Sequence, residues 1–354
     1  MGVIIALLAY LVFFVSGLAS GLSHDNASAI EQFHTYSFLV EKDADARINR
    51  SDLTTATVQK LRNALGKRHT AVLDIQSTTI HRKGKMEKID MSWFHLSRGK
   101  RPGNTLVAGK RPASAATHDI IIDRSIMRSG VQIGDQIIDQ ATGLRYRVVG
   151  MTSNETYSHM PVAYLNNSQW HELAKKSGPS FINQGHQALL TNQSISRVRT
   201  RMKQAGLADD SSVYSSAAII KALPGYSAEQ GSLTMMMSFL FIISVFILGI
   251  FFYIITAQKS ASLGILKAIG TNSGYLVRSL INQSLIILLI SLGISLVMTA
   301  LTAALLPSGM PFALSFSLIT ELLVCFLGIS LLSILLSIHQ VIKADALSAI
   351  EGKM

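Results

Sequence analysis

The sequence predicts a membrane protein with four transmembrane α-helices and a large extracellular mixed α/β domain between the first and second. Three observations carry this. Uncharged apolar runs long enough to cross a bilayer cluster at the two ends of the 354-residue chain. The middle, 23–231, holds most of the charge and alternates strand-like and helix-like patterns. A short stretch, 257–280, joins two apolar runs and carries Lys259, Lys267 and Arg278 with no acid to balance them.

The first span is assigned to 1–22, where some 20 residues pass without a charge. A cleaved signal peptide is the competing reading, but the run is long for one and no basic segment precedes it. Gly17 and Gly21 form a small-xxx-small pair that would let another helix approach closely.

From 23 to 231 the pattern is that of one soluble α/β domain. Strands are expected at 35–42, 70–81, 88–96, 119–123, 135–139, 146–152 and 161–165, where β-branched and aromatic residues concentrate. Helices are expected in SDLTTATVQKLRNALG, capped by Ser51 or Asp52, in NSQWHELAKK and in SISRVRTRMKQAG. VQIGDQIIDQATGLRYRVVG reads as a hairpin turning at Gly143. The domain carries 27 basic against 18 acidic side chains, a balance suited to an anionic lipid, wall polymer or small molecule. The single cysteine, Cys325, lies in an apolar run, so no disulfide forms within the chain and the domain depends on its own core.

The second span is assigned to 232–256, after a neck marked by Pro224, Gly225 and Gly231. The connection 257–280 follows; its middle, SLGILKAIG, reads as an amphipathic helix stopped at Gly270. A third span covers 281–306 and a fourth 312–338, followed by a polar tail, 339–354. By the positive-inside rule the connection lies in the cytoplasm, so both termini are cytoplasmic and the α/β domain is outside, on a multi-pass protein of the cell membrane. The alternative for the connection is a basic linker touching anionic lipid.

Candidate sites follow from side-chain chemistry. Tyr157, His159 and Met160 lie together in ETYSHMPV, and Tyr226, Met235 and Met236 stand at the neck. Phenolate, imidazole and thioether are the groups that ligate haem iron; ordinary packing is the competing reading for each residue. No His or Cys spacing suggests a protein-held metal ion. Glu321 is the one acid within the four spans, and is either functional or close enough to the outer interface to reach water. No GxxxxGK[ST], GxSxG or HExxH occurs, so the chain has no nucleotide cradle of that type and no hydrolase signature; ATP-driven work must come from a partner. A domain outside the membrane is no partner for nucleic acid.

The order of spans, together with QKSASLGILKAIGTNSGYLVRSLINQSL and the closing IKADALSAIEG, resembles the FtsX/MacB-type permeases of ABC transporters over nearly the whole chain. Ala346 stands where the family's closing motif has proline. The resemblance implies that Leu263, Gly264, Ile265, Leu266, Lys267, Ala268, Ile269 and Gly270 meet a cytoplasmic ATPase subunit. SGLASGL followed by DN, TYSHMPV, GYSAEQGSLTMMM and PSGMPF are similar to the Hrt-type haem-efflux permeases of Gram-positive bacteria. That likeness implies a homodimer in membrane lipid with two ATPase copies, haem as substrate and no permanently bound cofactor. Two other functions within the wider family stay open: a non-transporting subunit that regulates a cell-wall hydrolase, and export of antimicrobial peptides.

Overall fold

The computed structural model describes residues 2–97, 106–112, 118–178, 185–306 and 310–343. Within these, the side chains of 255–256, 260–261, 263–264, 267–268, 273 and 334–343 are not described. The chain divides into two compact units, one formed by Met1–Gly21 with Gly231–Met354 and the other by Leu22–Gln230.

Among the described residues four helices are long and apolar enough to cross a membrane: α1 (Gly2–Glu31), α6 (Tyr226–Ala268), α7 (Ser273–Leu305) and α8 (Phe316–Lys343). In the helical unit, Phe13 of α1, Phe252 of α6, Leu288 and Leu292 of α7 and Phe326 of α8 share one buried apolar cluster. Gly17 and Gly21 do allow a close approach, but to extended chain rather than to a helix. A Cβ on Gly21 would sit 2.5 Å from the Pro311 carbonyl, one on Gly17 2.5 Å from the Phe312 ring, and Ala313 N–H donates to Gly17 O at 3.0 Å.

In the Leu22–Gln230 unit, α1 runs on for nine residues past Leu22, because Ala27, Ala29 and Ile30 are fully buried in the domain's core. Strands β1 (Ser37–Glu41), β2 (Thr70–Arg82), β3 (Lys88–Leu96), β4 (Ala108–Gly109), β5 (Asp119–Asp123), β6 (Gln136–Asp139), β7 (Arg145–Thr152), β8 (Thr156–Tyr157), β9 (Met160–Leu165), β10 (Ala188–Thr191) and β11 (Ser211–Ser215) alternate with α2 (Thr55–Leu65), α3 (Asn167–Ser177), α4 (Ile195–Gln204) and α5 (Ser216–Lys221). The main sheet order is β11-β1-β10-β2-β3-β9-β5-β7-β4. The β3–β9 and β5–β7 pairs are parallel and the others antiparallel.

The long strand β2 belongs to two layers. Its first half pairs with β10, while its last residues pair with β6, Ile80 opposite Asp139. Since β6 also pairs with β7, strands β2-β3-β9-β5-β7-β6 close into a ring of hydrogen bonds around Trp93, Tyr146, Ile120, Ile122 and Val148. Closure removes exposed edges. The expected hairpin is β6–β7, with Gly143 at φ +70. Its turn is pinned by buried Asp139, which accepts from Thr142 N and Oγ1 at 2.9 and 2.6 Å, from Thr78 Oγ1 at 2.5 Å and from Trp93 Nε1 at 3.2 Å. Four donors compensate the loss of water around that carboxylate.

The open half, β11-β1-β10-β2, separates two cores by strand alternation. Phe38, Val40, Leu73 and Leu190 face one cluster with Ile30 and Phe33 and with Ile219 of α5; Leu39, Val72, Leu189 and Val213 face the other, with Leu61 of α2 and Val198 of α4. The α2 cap is Thr54, which accepts from Thr57 N, not Ser51 or Asp52. Ser51 instead accepts from Glu41 N, and Asp52 from Gly185 N, so both are committed elsewhere. Asn166 and Gln169 form a capping box on α3.

Candidate functional site

Candidate sites lie in both units, one in each. In the α/β domain, the polar end of α1 meets the β8–β9 hairpin. Its two-residue loop, Ser158–His159, has φ of +50 and +62, the backbone of a type I′ turn, which non-glycine residues adopt only under constraint. The constraint is visible: Ser158 N–H donates to Asn26 O at 2.8 Å, Thr156 N–H to Ser28 Oγ at 2.9 Å, and the two hydroxyls of Ser28 and Thr156 lie 2.7 Å apart.

The hairpin is therefore docked on α1 and holds the His159 ring between two carboxylates. Nδ1 lies 3.4 Å from Asp25 and Nε2 3.4 Å from Glu229. Glu229 also accepts from Asn26 Nδ2 at 2.7 Å, and Arg128 approaches Asp25 at 4.0 Å. One turn before Glu229, Tyr226 OH is 3.1 Å from Ser23 Oγ.

The proposed haem-contacting residues fall into three settings. His159 is exposed and Met160 half-buried on the hairpin, and Tyr226 packs against the core that contains Tyr157. Tyr157 itself is 5% exposed, edge-on to Phe94 with ring centroids 5.4 Å apart, and burial pushes its phenol up to about 12. It is a core residue, and a phenolate there is disfavoured. In the helical unit Met235 and Met236 are exposed on α6, at 60% and 46%, and Glu321 is exposed in the second turn of α8. Among the described residues no group of three or more His, Cys, Asp or Glu side chains is arranged to hold a metal ion. Residue chemistry alone did not single out Asp25, Asn26, Arg128 or Glu229; the available signal was the cluster of polar residues at the inner ends of two apolar runs.

The second place is the α6–α7 turn. The stretch expected as a separate amphipathic helix is the distal part of α6, unbroken from Tyr226 to Ala268. Apolar residues continue through it, and no proline precedes Gly270 in the helix. Gly270, at φ +96, ends it; Thr271 N–H returns to Leu266 O at 3.0 Å, the Schellman bond. Asn272 then caps α7 by accepting from Gly274 N at 2.9 Å. Lys259 donates to Gln283 across the two helices. Of the residues assigned to ATPase contact, Ile265, Leu266 and Ile269 are 58%, 43% and 77% exposed, with Tyr275 at 68% just beyond. Gly270 is exposed; Leu263, Gly264, Lys267 and Ala268 lie on the α6 backbone, their surroundings not described. The closing motif IKADALSAIEG extends beyond the described residues after Lys343.

Residues 234–346 match the FtsX-like permease C-terminal family model, a match that spans α6, α7 and α8. The last three of the apolar helices thus fall in a segment similar to the FtsX-like permease C-terminal family. Over 353 residues the chain is 27% identical to a protein of Staphylococcus haemolyticus named "Putative hemin transport system permease protein HrtB", covering 99% of this chain and 94% of that one. A Staphylococcus epidermidis protein of the same name is 28% identical over 350 residues, with the same coverage. Among solved structures, the periplasmic region of MacB from Actinobacillus actinomycetemcomitans aligns at TM-score 0.36 and 10% identity, over 54% of this chain and 93% of that one. The extracellular domain of the ABC-type transporter YknZ from Gram-positive bacteria aligns at 0.35 and 12%, over 51% and 99%.

Proposed function

We propose that this chain is the permease subunit of an ABC transporter that moves haem out of the cell membrane, driven by a separate ATPase. The observation that carries the reading is the end-to-end similarity to proteins named as hemin transport permeases, joined to an FtsX-like permease domain over the last three apolar helices. The working unit is a homodimer with two ATPase copies, the α/β domain outside and both termini in the cytoplasm. The exposed apolar tip at Ile265, Leu266, Ile269 and Tyr275 supports the ATPase contact, because such a patch at a helix turn suits burial by a partner.

Haem binds at the neck end of the α/β domain. His159, Met160 and Tyr226 supply iron-capable side chains, and Arg128 supplies a cation for a propionate. Tyr157 acts through the hairpin it anchors. Met235, Met236 and Glu321, in the helical unit, are a separate set of haem-contact candidates on α6 and α8.

The test is haem sensitivity of a strain deleted for this gene, complemented by the wild type, by Ile269→Glu and by Tyr226→Phe. Restored resistance with wild type alone supports the assignment. A deletion strain as haem-resistant as its parent would refute haem efflux, and an unaltered haem spectrum in purified Tyr226→Phe and His159→Gln proteins would move the site elsewhere.

A further inference from the structure

The positive charge of the α/β domain is not spread over it. The segments 54–70 and 187–208 together hold eight lysines and arginines and no acid. They build α2 with its following turn, and α4, which pack side by side on the sheet face carrying Leu39, Val72 and Leu189. Their apolar sides, Val58, Leu61, Leu65, Val198 and Met202, are buried there, so the basic side chains are left outward.

Lys60, Lys67, Arg68, Arg197, Arg199 and Lys203 are all exposed, and among the described residues none forms an ion pair. The nearest acids in sequence are exposed Asp52 ahead of α2, which accepts from Gly185 N at 2.8 Å, and, after α4, Asp209, held by Lys42 at 2.8 Å, and exposed Asp210. Arg201 is spent internally, donating to Leu65 O at 3.3 Å. Beside α4 a shallow cleft of about 220 Å³ is bordered by Arg199, Lys203, Ser212 and Tyr214, two cations with hydroxyl groups.

The α2–α4 face and the ends of the unit use opposite sides of the sheet. The ends of the unit, in α1 and at Tyr226, pack with the opposite sheet face, in the cluster of Ile30, Phe38 and Phe33. Like charges held close without counter-ions raise the potential of the surface and favour a linear polyanion, which releases condensed ions on binding.

We infer that the α2–α4 face binds a linear polyol-phosphate polymer of the cell envelope, with Arg199 and Lys203 gripping successive phosphodiesters. Its occupant follows from the outward placement of the domain; the binding itself is independent of the haem reading. Full-length protein in neutral-lipid nanodiscs would be titrated with a fluorescent poly(glycerol phosphate) oligomer. The expected result is binding that weakens steeply with salt, and a loss of about tenfold or more in Arg197→Gln/Arg199→Gln/Lys203→Gln, with a salt slope lower by roughly two to three units, near one per lost phosphate contact. The triple glutamate version should lose more. A control, Lys83→Gln/Lys85→Gln/Lys88→Gln, changes net charge equally and should leave affinity intact. Equal binding by the face variant, or an equal loss in the control, overturns the proposal. Tighter binding of a single-stranded DNA oligomer of matched charge overturns the choice of polymer, and binding confined to anionic vesicles assigns the face to lipid instead.

Discussion

Gly21→Ala is the sharpest perturbation of the helical unit. An added Cβ would meet Pro311 C and O at 2.5 Å and Phe312 N at 2.6 Å, all backbone atoms that no rotamer change can move aside. Carbon contacts settle near 3.5 to 4.0 Å, so the 310–314 segment or α1 must retreat by roughly 1 Å. Overpacking of this kind costs about 1–3 kcal/mol, partly offset by the ~1 kcal/mol that alanine gains over glycine inside a helix. The net expectation is a destabilisation of up to about 2 kcal/mol. Gly17→Ala should cost less, because its clash at 2.5 Å is with the outer atoms of the Phe312 ring. Gly293→Ala has no atom within 4 Å and should be neutral or stabilising by up to ~1 kcal/mol, the propensity term alone. Thermal unfolding of the purified full chain in one detergent would rank the three. A Gly21→Ala protein as stable as Gly293→Ala would refute the packing assigned to this glycine pair.

Other expectations concern the α/β domain and the tip. The only two tryptophans, Trp93 and Trp170, both lie in the Leu22–Gln230 unit, so their fluorescence reports on that unit. Burial alone would raise the Asp74 carboxyl, but hydrogen bonds from His186 and His95 outweigh it and hold the group below its ordinary value of 3.8. A depressed carboxylate contributes stability in full above its unfolded value and loses it as pH falls through the folded one. Tryptophan fluorescence should therefore show unfolding made easier as pH drops below about 4, with the acid dependence shallower in Asp74→Asn and neutral-pH stability lower by about 1–3 kcal/mol. At position 159, φ of +62 tolerates asparagine but not a β-branched residue. His159→Val should thus cost about 1–3 kcal/mol, with His159→Asn closer to wild type, by the same readout. At the α6–α7 tip, Ile269→Glu places charge on a side chain 77% exposed, so the folded protein should keep its membrane level. Co-purification with the ATPase subunit should fall at least tenfold; undiminished recovery would remove the tip from the contact.

Much of the fold was legible along the chain because its signals are local. Seven strand runs, three helices, the Gly143 hairpin and the apolar runs all announce themselves within about 20 residues by period, composition or turn chemistry. The misses have a common cause. β11, SSVYS, has little strand character of its own and is recruited by pairing with β1; β10, ALLT, is four buried residues too short to show a period. The α2 cap moved to Thr54 because Ser51 and Asp52 bind other backbone N–H groups, one of them from Gly185.

The candidate site divides in the same way. Composition alone picked out Tyr157, His159 and Met160, but only packing separates a buried phenol from an exposed imidazole on the same four-residue turn. Asp25 and Glu229 are some 200 residues apart, and nothing near either announces that a histidine lies between them.

What the amino-acid order settled unaided was which stretches are apolar enough to span a bilayer, and that the chain lacks a nucleotide cradle of the Walker type. What only the folded chain decided was the closure of β2 onto β6, the two cores on opposite faces of one sheet, the reach of α1 into the domain, and the imidazole held between two acids. The physical reason is range: propensity and periodicity act between near neighbours, whereas strand register, burial and ion pairing depend on segments far apart in sequence that meet when apolar surface leaves water.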